Sequence, residues 1–250
     1  MIRKLITVAV LSSLSSQVLA EEEKRTWDAS AELGFNLTSG NTETASLKTR
    51  IDVTHRLTNW ENTYIFDTLK IKDEEKTTAD KRLYEAEGNY NLNEAGSFLS
   101  VSGTRTENTF GAYDNTNTIA FGYGKRFYNT DSLIINADIG PGYTFFEENN
   151  DPDSEETDEP KIKGNSSIVR LAGDLSWEIS DSATFTQKIT INKQLSENKN
   201  TNTRSESSIS ARINNALKMK FGVTIINNSY VSGDSKKTDT ETSVTLVYAF

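Results

Sequence analysis

The sequence predicts an all-β fold: a single closed antiparallel up-and-down transmembrane β-barrel of about 12 strands. Three observations carry this prediction. Apolar and polar residues alternate with period two almost from end to end, which puts one face of each strand against an apolar medium and the other against a polar one. The connections between the alternating runs are short and long in turn. Only 35% of the residues are hydrophobic, too few for the usual packed soluble core, whereas a strand of a membrane barrel needs apolar residues only on its lipid side.

The first residues form a separate element. Arg3 and Lys4 precede a short apolar core of Leu5, Ile6 and Val8–Leu11, Val18 and Ala20 occupy small-residue positions, and Glu21–Glu23 follow. This is the pattern of a cleaved secretory signal peptide over 1–20, leaving the barrel over 21–250. Its apolar core is too short to span a bilayer, and no later run is long enough for a helical span. The chain carries 27 basic and 36 acidic residues, and losing Arg3 and Lys4 makes it more acidic still, which argues against nucleic acid as a partner. With no cysteine, disulfides and thiolate metal sites are excluded.

The strands follow in order. Trp27, Ala29, Ala31, Leu33, Phe35 and Leu37 share one face of the first, and Ala45, Leu47, Ile51, Val53 and Leu57 one face of the second. Trp60–Ile71 has apolar residues in both phases, which suggests a bulge. Tyr84, Ala86, Tyr90 and Leu92 define the fourth strand, and the fifth, Ser97–Asn108, shows only Leu99, Val101 and Gly103. Ile119, Phe121, Tyr123 and Phe127 define the sixth; Leu133, Ile135, Ala137, Ile139, Tyr143 and Phe145 the seventh. Val169, Leu171, Leu175, Trp177 and Ile179 alternate in the eighth, and Phe185, Ile189, Ile191 and Leu195 in the ninth. Ile209, Ala211 and Ile213, then Leu217–Ile225, then Val244–Phe250 complete the series. Runs of about 10 to 14 residues match a tilted strand crossing a membrane.

Short connections are expected at Thr58-Asn59, Asn93–Gly96, Tyr128–Asp131, Ser180–Ser182 and Asn214–Ala216, and long ones at Thr38–Thr44, Lys72–Asp80, Thr109–Asn115, Glu147–Gly164, Ser196–Thr203 and Val231–Thr238. Membrane barrels keep short turns on the periplasmic side and longer loops outside. In that topology Trp27, Trp60 and Trp177 all fall at the periplasmic rim, where indole serves as a membrane-interface anchor. The implied location is the bacterial outer membrane, with lipid and lipopolysaccharide as the surrounding partners.

Val244, Leu246, Tyr248 and Phe250 share a face at the C-terminal end and resemble the signal read by the outer-membrane barrel assembly machinery. At the first hairpin, Glu32-Leu33-Gly34-Phe35 followed by Thr38-Ser39-Gly40-Asn41-Thr42-Glu43-Thr44 resembles the opening of the salt-induced outer membrane protein family (domain of unknown function 481). The resemblance in length and strand pattern covers the whole chain after the signal. It implies an outer-membrane barrel associated with salt stress and brings no catalytic set. Gly40-Asn41 suits a loop that needs positive φ.

The chemistry that remains is sparse. His55, the sole histidine, shares the outward phase of Val53 and Leu57, so it reads as interfacial and structural; no catalytic residue, cofactor or metal is assigned. The acidic stretch Glu147–Gly164 contains Asp151-x-Asp153-x-Glu155, but Glu156 stands where a calcium loop requires glycine, so a solvated loop is the simpler reading. Pro141, within Gly140-Pro141-Gly142, predicts a bulge or a broken ladder bond. The inward phase supplies the candidate site: Glu32, Lys48, Arg50, Asp52, Glu85, Glu87, Asp138, Arg170, Asp174, Lys188, Glu206, Arg212, Lys218 and Lys220. These charges either pair across the lumen and fill it, or line a narrow aqueous path. Three functions follow: a narrow channel for small polar solutes or an envelope barrel, a lipid-modifying enzyme, and a non-conducting barrel whose loops bind a ligand.

Overall fold

The alternating runs become twelve antiparallel strands. They are β1 (Trp27–Thr38), β2 (Thr44–Arg56), β3 (Trp60–Asp73), β4 (Lys76–Asn91), β5 (Ser97–Asn108) and β6 (Tyr113–Asn129), then β7 (Leu133–Glu148), β8 (Lys163–Ser180), β9 (Ala183–Gln194), β10 (Thr201–Arg212), β11 (Leu217–Asn228) and β12 (Thr238–Ala249). The computed structural model describes residues 26–38, 44–73, 76–148, 163–196, 200–231 and 236–250. The expected signal peptide, the Gly40-Asn41 turn and residues 149–162 of the acidic stretch lie outside them. Each strand pairs with its sequence neighbours, and β12 returns to β1 to close the barrel. Closure joins the two strands that would otherwise be the edges of the sheet.

Period two fixes what each strand shows to either side. Leu33, Phe35, Ile119, Phe121, Tyr123, Ile139, Leu171, Phe221, Val244 and Leu246 are exposed on the outside. Their opposite-phase neighbours turn inward. Glu32, Asp67, Asp138 and Arg170 are buried there, together with a smaller apolar set that includes Ile65, Leu83, Phe98 and Ile168. The barrel is thus inside-out relative to a soluble domain.

This explains the mixed phases of Trp60–Ile71. No bulge interrupts that run; it is in register with β2 throughout. Tyr64 faces outward and Ile65 inward, where it is buried with Leu83 in the lumen wall. The register slips only at its end, between Ile71 and Lys72, opposite Thr77–Ala79 of β4. The expected long connections Lys72–Asp80 and Thr109–Asn115 are also shorter than the sequence suggests. Strands β4 and β6 begin at Lys76 and Tyr113, because polar residues continue the ladder where it leaves the apolar zone.

The short connections, 57–59, 92–96, 130–132, 181–182 and 213–216, lie at one end of the barrel, here the turn end, and the others at the loop end. In the turn before β5, Gly96 has a φ of +84°, a left-handed conformation that favours glycine. Pro141 breaks the ladder on one side only. It opposes Val169 of β8 in register, whereas the pairing of β7 with β6 is interrupted between Ala120–Gly142 and Tyr123–Ile139. Strand β7 presses closely on β6 at this break: a Cβ at Gly140 would stand 1.8 Å from the Phe121 carbonyl oxygen.

A methyl group at Gly140 must move backbone rather than a side-chain tip. Gly140→Ala is therefore expected to destabilise the barrel by roughly 1–3 kcal/mol, read as a lower urea midpoint in detergent micelles. Gly103→Ala, which places its Cβ in open space, is the matched control and is expected to leave the midpoint unchanged or slightly raised.

Candidate functional site

Inward-facing charges from opposite walls meet in the middle of the lumen. Arg50 on β2 is the hub. Its Nε donates to Asp52 Oδ2 at 2.9 Å, and its Nη1 reaches Asp67 Oδ2 on β3 at 3.3 Å and Glu206 Oε2 on β10 at 3.1 Å. The contact with Glu206 spans the lumen, because β2 and β10 are not neighbours. Glu206 also accepts from Arg204 Nε at 2.5 Å.

Five further ion pairs, in three groups, make the belt. Arg170 on β8 donates through Nη1 to Asp138 Oδ1 at 2.6 Å and through Nη2 to Glu87 Oε2 on β4 at 3.0 Å. The Asp138 Oδ1 atom also accepts from Ser100 Oγ at 3.1 Å. Lys188 on β9 pairs with Glu85 on β4. Lys48 on β2 pairs with Glu241 on β12, and Lys81 on β4 approaches the same carboxylate at 3.8 Å. Side chains of β2, β4, β8, β9, β10 and β12 therefore converge. Ions held inside the bore, most of them largely shielded from water, persist by pairing, and the belt supplies a partner of opposite sign for each of these groups.

On the turn side of the belt lies a cavity of about 500 Å³, lined by Ser30, Glu32, Asp52, Asp174, Thr186, Lys218 and Lys220 and reaching up to Arg50, Asp67 and Glu206. Within it Lys220 Nζ donates to Glu32 Oε1 at 2.6 Å, and Asn136 Nδ2 donates to Asp174 Oδ2 at 2.8 Å. On the loop side the lumen is narrowed by an amide lattice. Asn228 Oδ1 accepts from Asn200 Nδ2 at 3.0 Å and from Asn202 Nδ2 at 2.9 Å. Asn200 also contacts Tyr113 Oη at 3.2 Å, and its Oδ1 accepts from the Tyr230 amide at 3.2 Å. The space among these residues is about 40 Å³, room for a few waters and nothing larger.

Of the charges read from the sequence, Arg212 stands apart, exposed at the turn end of β10. The alternation brings Glu85, Glu87, Asp138, Arg170, Lys188 and Glu206 into the belt with Lys48, Arg50 and Asp52. Four members were not foreseen: Asp67, Lys81, Arg204 and Glu241. Asp67 was hidden by the mixed phases of β3, Lys81 borders the residues read as a loop, and Arg204 and Glu241 sit in strands rich in Ser and Thr. Parity would have found them, since Asp67 shares the phase of Ile65, Lys81 that of Glu85, Arg204 that of Glu206, and Glu241 that of Val247.

The outward features sit at the turn end. Trp27 opens β1, Trp60 opens β3 and Trp177 lies near the end of β8, all exposed. His55 stacks on Trp27 with ring centroids 3.8 Å apart and planes 8° from parallel. Val244, Leu246, Tyr248 and Phe250 are exposed along the outside of β12. Among the described residues, no group of three or more His, Asp or Glu is arranged to hold a metal ion.

Among solved structures the chain is similar to the NanC porin, with a TM-score of 0.49 at 11% identity, covering 89% of this chain and 98% of that one. It is similar to the KdgM porin in complex with disordered oligogalacturonate (TM-score 0.43, 12% identity, 89% and 99% covered). It is also similar to the translocator domain of the autotransporter NalP from Neisseria meningitidis (TM-score 0.44, 12% identity, 90% and 88% covered). Comparison with curated proteins finds no match. A family model does match, over residues 31–250, which is nearly all of the barrel; the chain belongs to the family described as protein of unknown function, DUF481.

Proposed function

We propose that the protein is an outer-membrane barrel that acts as a narrow channel for small polar solutes, with the ion pairs that bridge the lumen as its constriction. The observation that carries this reading is the sequence of spaces along the axis: a cavity of about 500 Å³ lined largely by polar side chains that ends on a belt of both charge signs. A belt of this kind is a poor means of simple stabilisation, because buried ion pairs are often no better than well-packed apolar residues of similar volume. Charged side chains that line a narrow bore can instead set which solutes pass. The apolar exterior, the even strand number and the turn-end tryptophans support placement in the outer membrane, periplasmic side at the turn end. Export through a signal peptide over 1–20 and recognition of the last strand by the barrel assembly machinery belong to the same reading.

A second reading is a non-conducting barrel whose loop end binds a surface ligand. The amide lattice that joins Tyr113, Asn200, Asn228 and Tyr230 favours it, since such a lattice stiffens the loop end.

Planar-bilayer recording separates the two. The full-length protein is expected to show small conductance steps, and Arg50→Ala combined with Glu206→Ala is expected to enlarge them by opening the belt. Absence of steps in both proteins would remove the channel reading and leave the second. The belt also has an energetic signature. Arg170→Met strands the carboxylates of Asp138 and Glu87 and is expected to cost roughly 3–5 kcal/mol. Adding Asp138→Asn and Glu87→Gln is expected to recover much of that loss in urea titrations of the micellar protein.

A further inference from the structure

The barrel is closed unevenly. Strand β1 pairs with β2 from Trp27–His55 to Thr38–Thr44, and β12 pairs with β11 from Leu217–Tyr248 to Asn227–Thr238. The seam between β1 and β12 is paired only from Ser30–Ala249 to Leu33–Leu246, with reciprocal backbone bonds between Ala29 and Phe250 at 3.3 and 3.0 Å extending it toward the turn end. Continued in the same register, Gly34–Thr38 would oppose Glu241–Thr245. Among the described residues that stretch carries no ladder, so toward the loop end each strand is paired on one side only. Strand edges left this way at membrane depth are unfavourable by several kcal/mol per group, and something must compensate.

Side chains from the lumen link the two strands where the ladder is missing. Thr245 Oγ1 donates to Glu32 Oε2 at 3.1 Å. Lys48 reaches from β2 past β1 to Glu241 on β12, and Lys81 adds a second cation to that carboxylate. Behind the seam is the 500 Å³ cavity, which Glu32, Lys48, Lys220 and Ser243 line. In front of it Leu33, Phe35, Val244 and Leu246 are exposed to the surroundings. A charged compartment thus adjoins an apolar exterior across a strip where the two strands touch, as Gly34 does at the Val244 carbonyl, but carry no backbone ladder.

We propose that the β1–β12 seam is a lateral portal that admits a single-chain amphiphile. Its headgroup enters among Glu32, Lys48 and Lys220, and its chain stays in the bilayer between Phe35 and Val244. A wholly polar solute gains nothing from an opening toward lipid, and a wholly apolar one nothing from a charged cavity. The cavity holds a headgroup but not a whole lipid, so the chain remains outside. The portal does not depend on whether the axial path conducts.

The test uses the full-length protein in phosphatidylcholine vesicles containing a single-chain phosphocholine with a diazirine beside its headgroup. Photolysis is expected to label lumen-facing Ser243 and Gly222, mapped by mass spectrometry. The chain has no cysteine, so Phe35→Cys with Val244→Cys allows an unambiguous disulfide across the seam. Oxidation is expected to abolish lumen labelling and dithiothreitol to restore it. Glu241→Gln, which removes the charge that Lys48 and Lys81 hold, is expected to raise labelling severalfold and decides the matter even if the cysteine pair misfolds. Adducts confined to outward positions such as Leu33 and Leu246, or lumen labelling indifferent to both changes, would overturn the portal. Conductance of the oxidised protein is expected to be unchanged. Labelling that responds to the disulfide in a protein that never conducts would sink the channel and keep the portal.

Discussion

Hydrocarbon offers no partner to a backbone N–H or C=O, so a sheet that crosses it must satisfy every such group from within. Twelve strands that return to their own first strand meet this demand all round the barrel except along the loop-end part of the β1–β12 seam, and the remaining features follow from it. Closure leaves an inside and an outside. Period two sends alternate residues to each, and a chain with 35% hydrophobic residues suffices because only one side has to be apolar.

The inside then has its own problem of volume. Small barrels of about 8 strands are filled by ordinary side chains, whereas those of about 16 leave an open channel. Twelve strands leave a bore too wide for residues such as Ala120 and Ile168 to fill, yet narrow enough for arginine and lysine to cross. Arg50 reaching Glu206 and Arg170 reaching Glu87 are the outcome: long cations anchored on one wall, carboxylates on the other. The apolar inward residues gather along the β3–β8 side, Ile65, Leu83, Ile168 and Ala172 among them. The cavity takes its walls chiefly from β1, β2 and β8–β12.

This asymmetry matters at the seam. The side of the barrel that holds the cavity is also the side where the ladder is shortest, so side-chain pairs involving Glu32, Lys48 and Glu241 act there on both the bore and the wall. Elsewhere wall and contents are separate, as at Gly140, where β6 and β7 approach so closely that no side chain fits between them.

By itself the sequence determined the strand count, the sign of each face and the turn-end position of Trp27, Trp60 and Trp177, because these depend on parity and on connections between adjacent strands. It left the phase of Trp60–Ile71 undecided, since Ile65 is as apolar as Tyr64 and only the curved wall tells inside from outside. It left out Glu241 and Arg204, which lie in the polar first halves of β12 and β10, ahead of the apolar residues that mark those strands. Which charge meets which was decided by the tertiary structure alone. Arg50 and Glu206 are separated by most of the chain and are joined only when the sheet closes, with a tilt and stagger that adjacent-strand patterns do not encode. The short β1–β12 ladder has the same origin: its two strands are the first and last of the barrel, and their register is set by how the other ten accumulate twist.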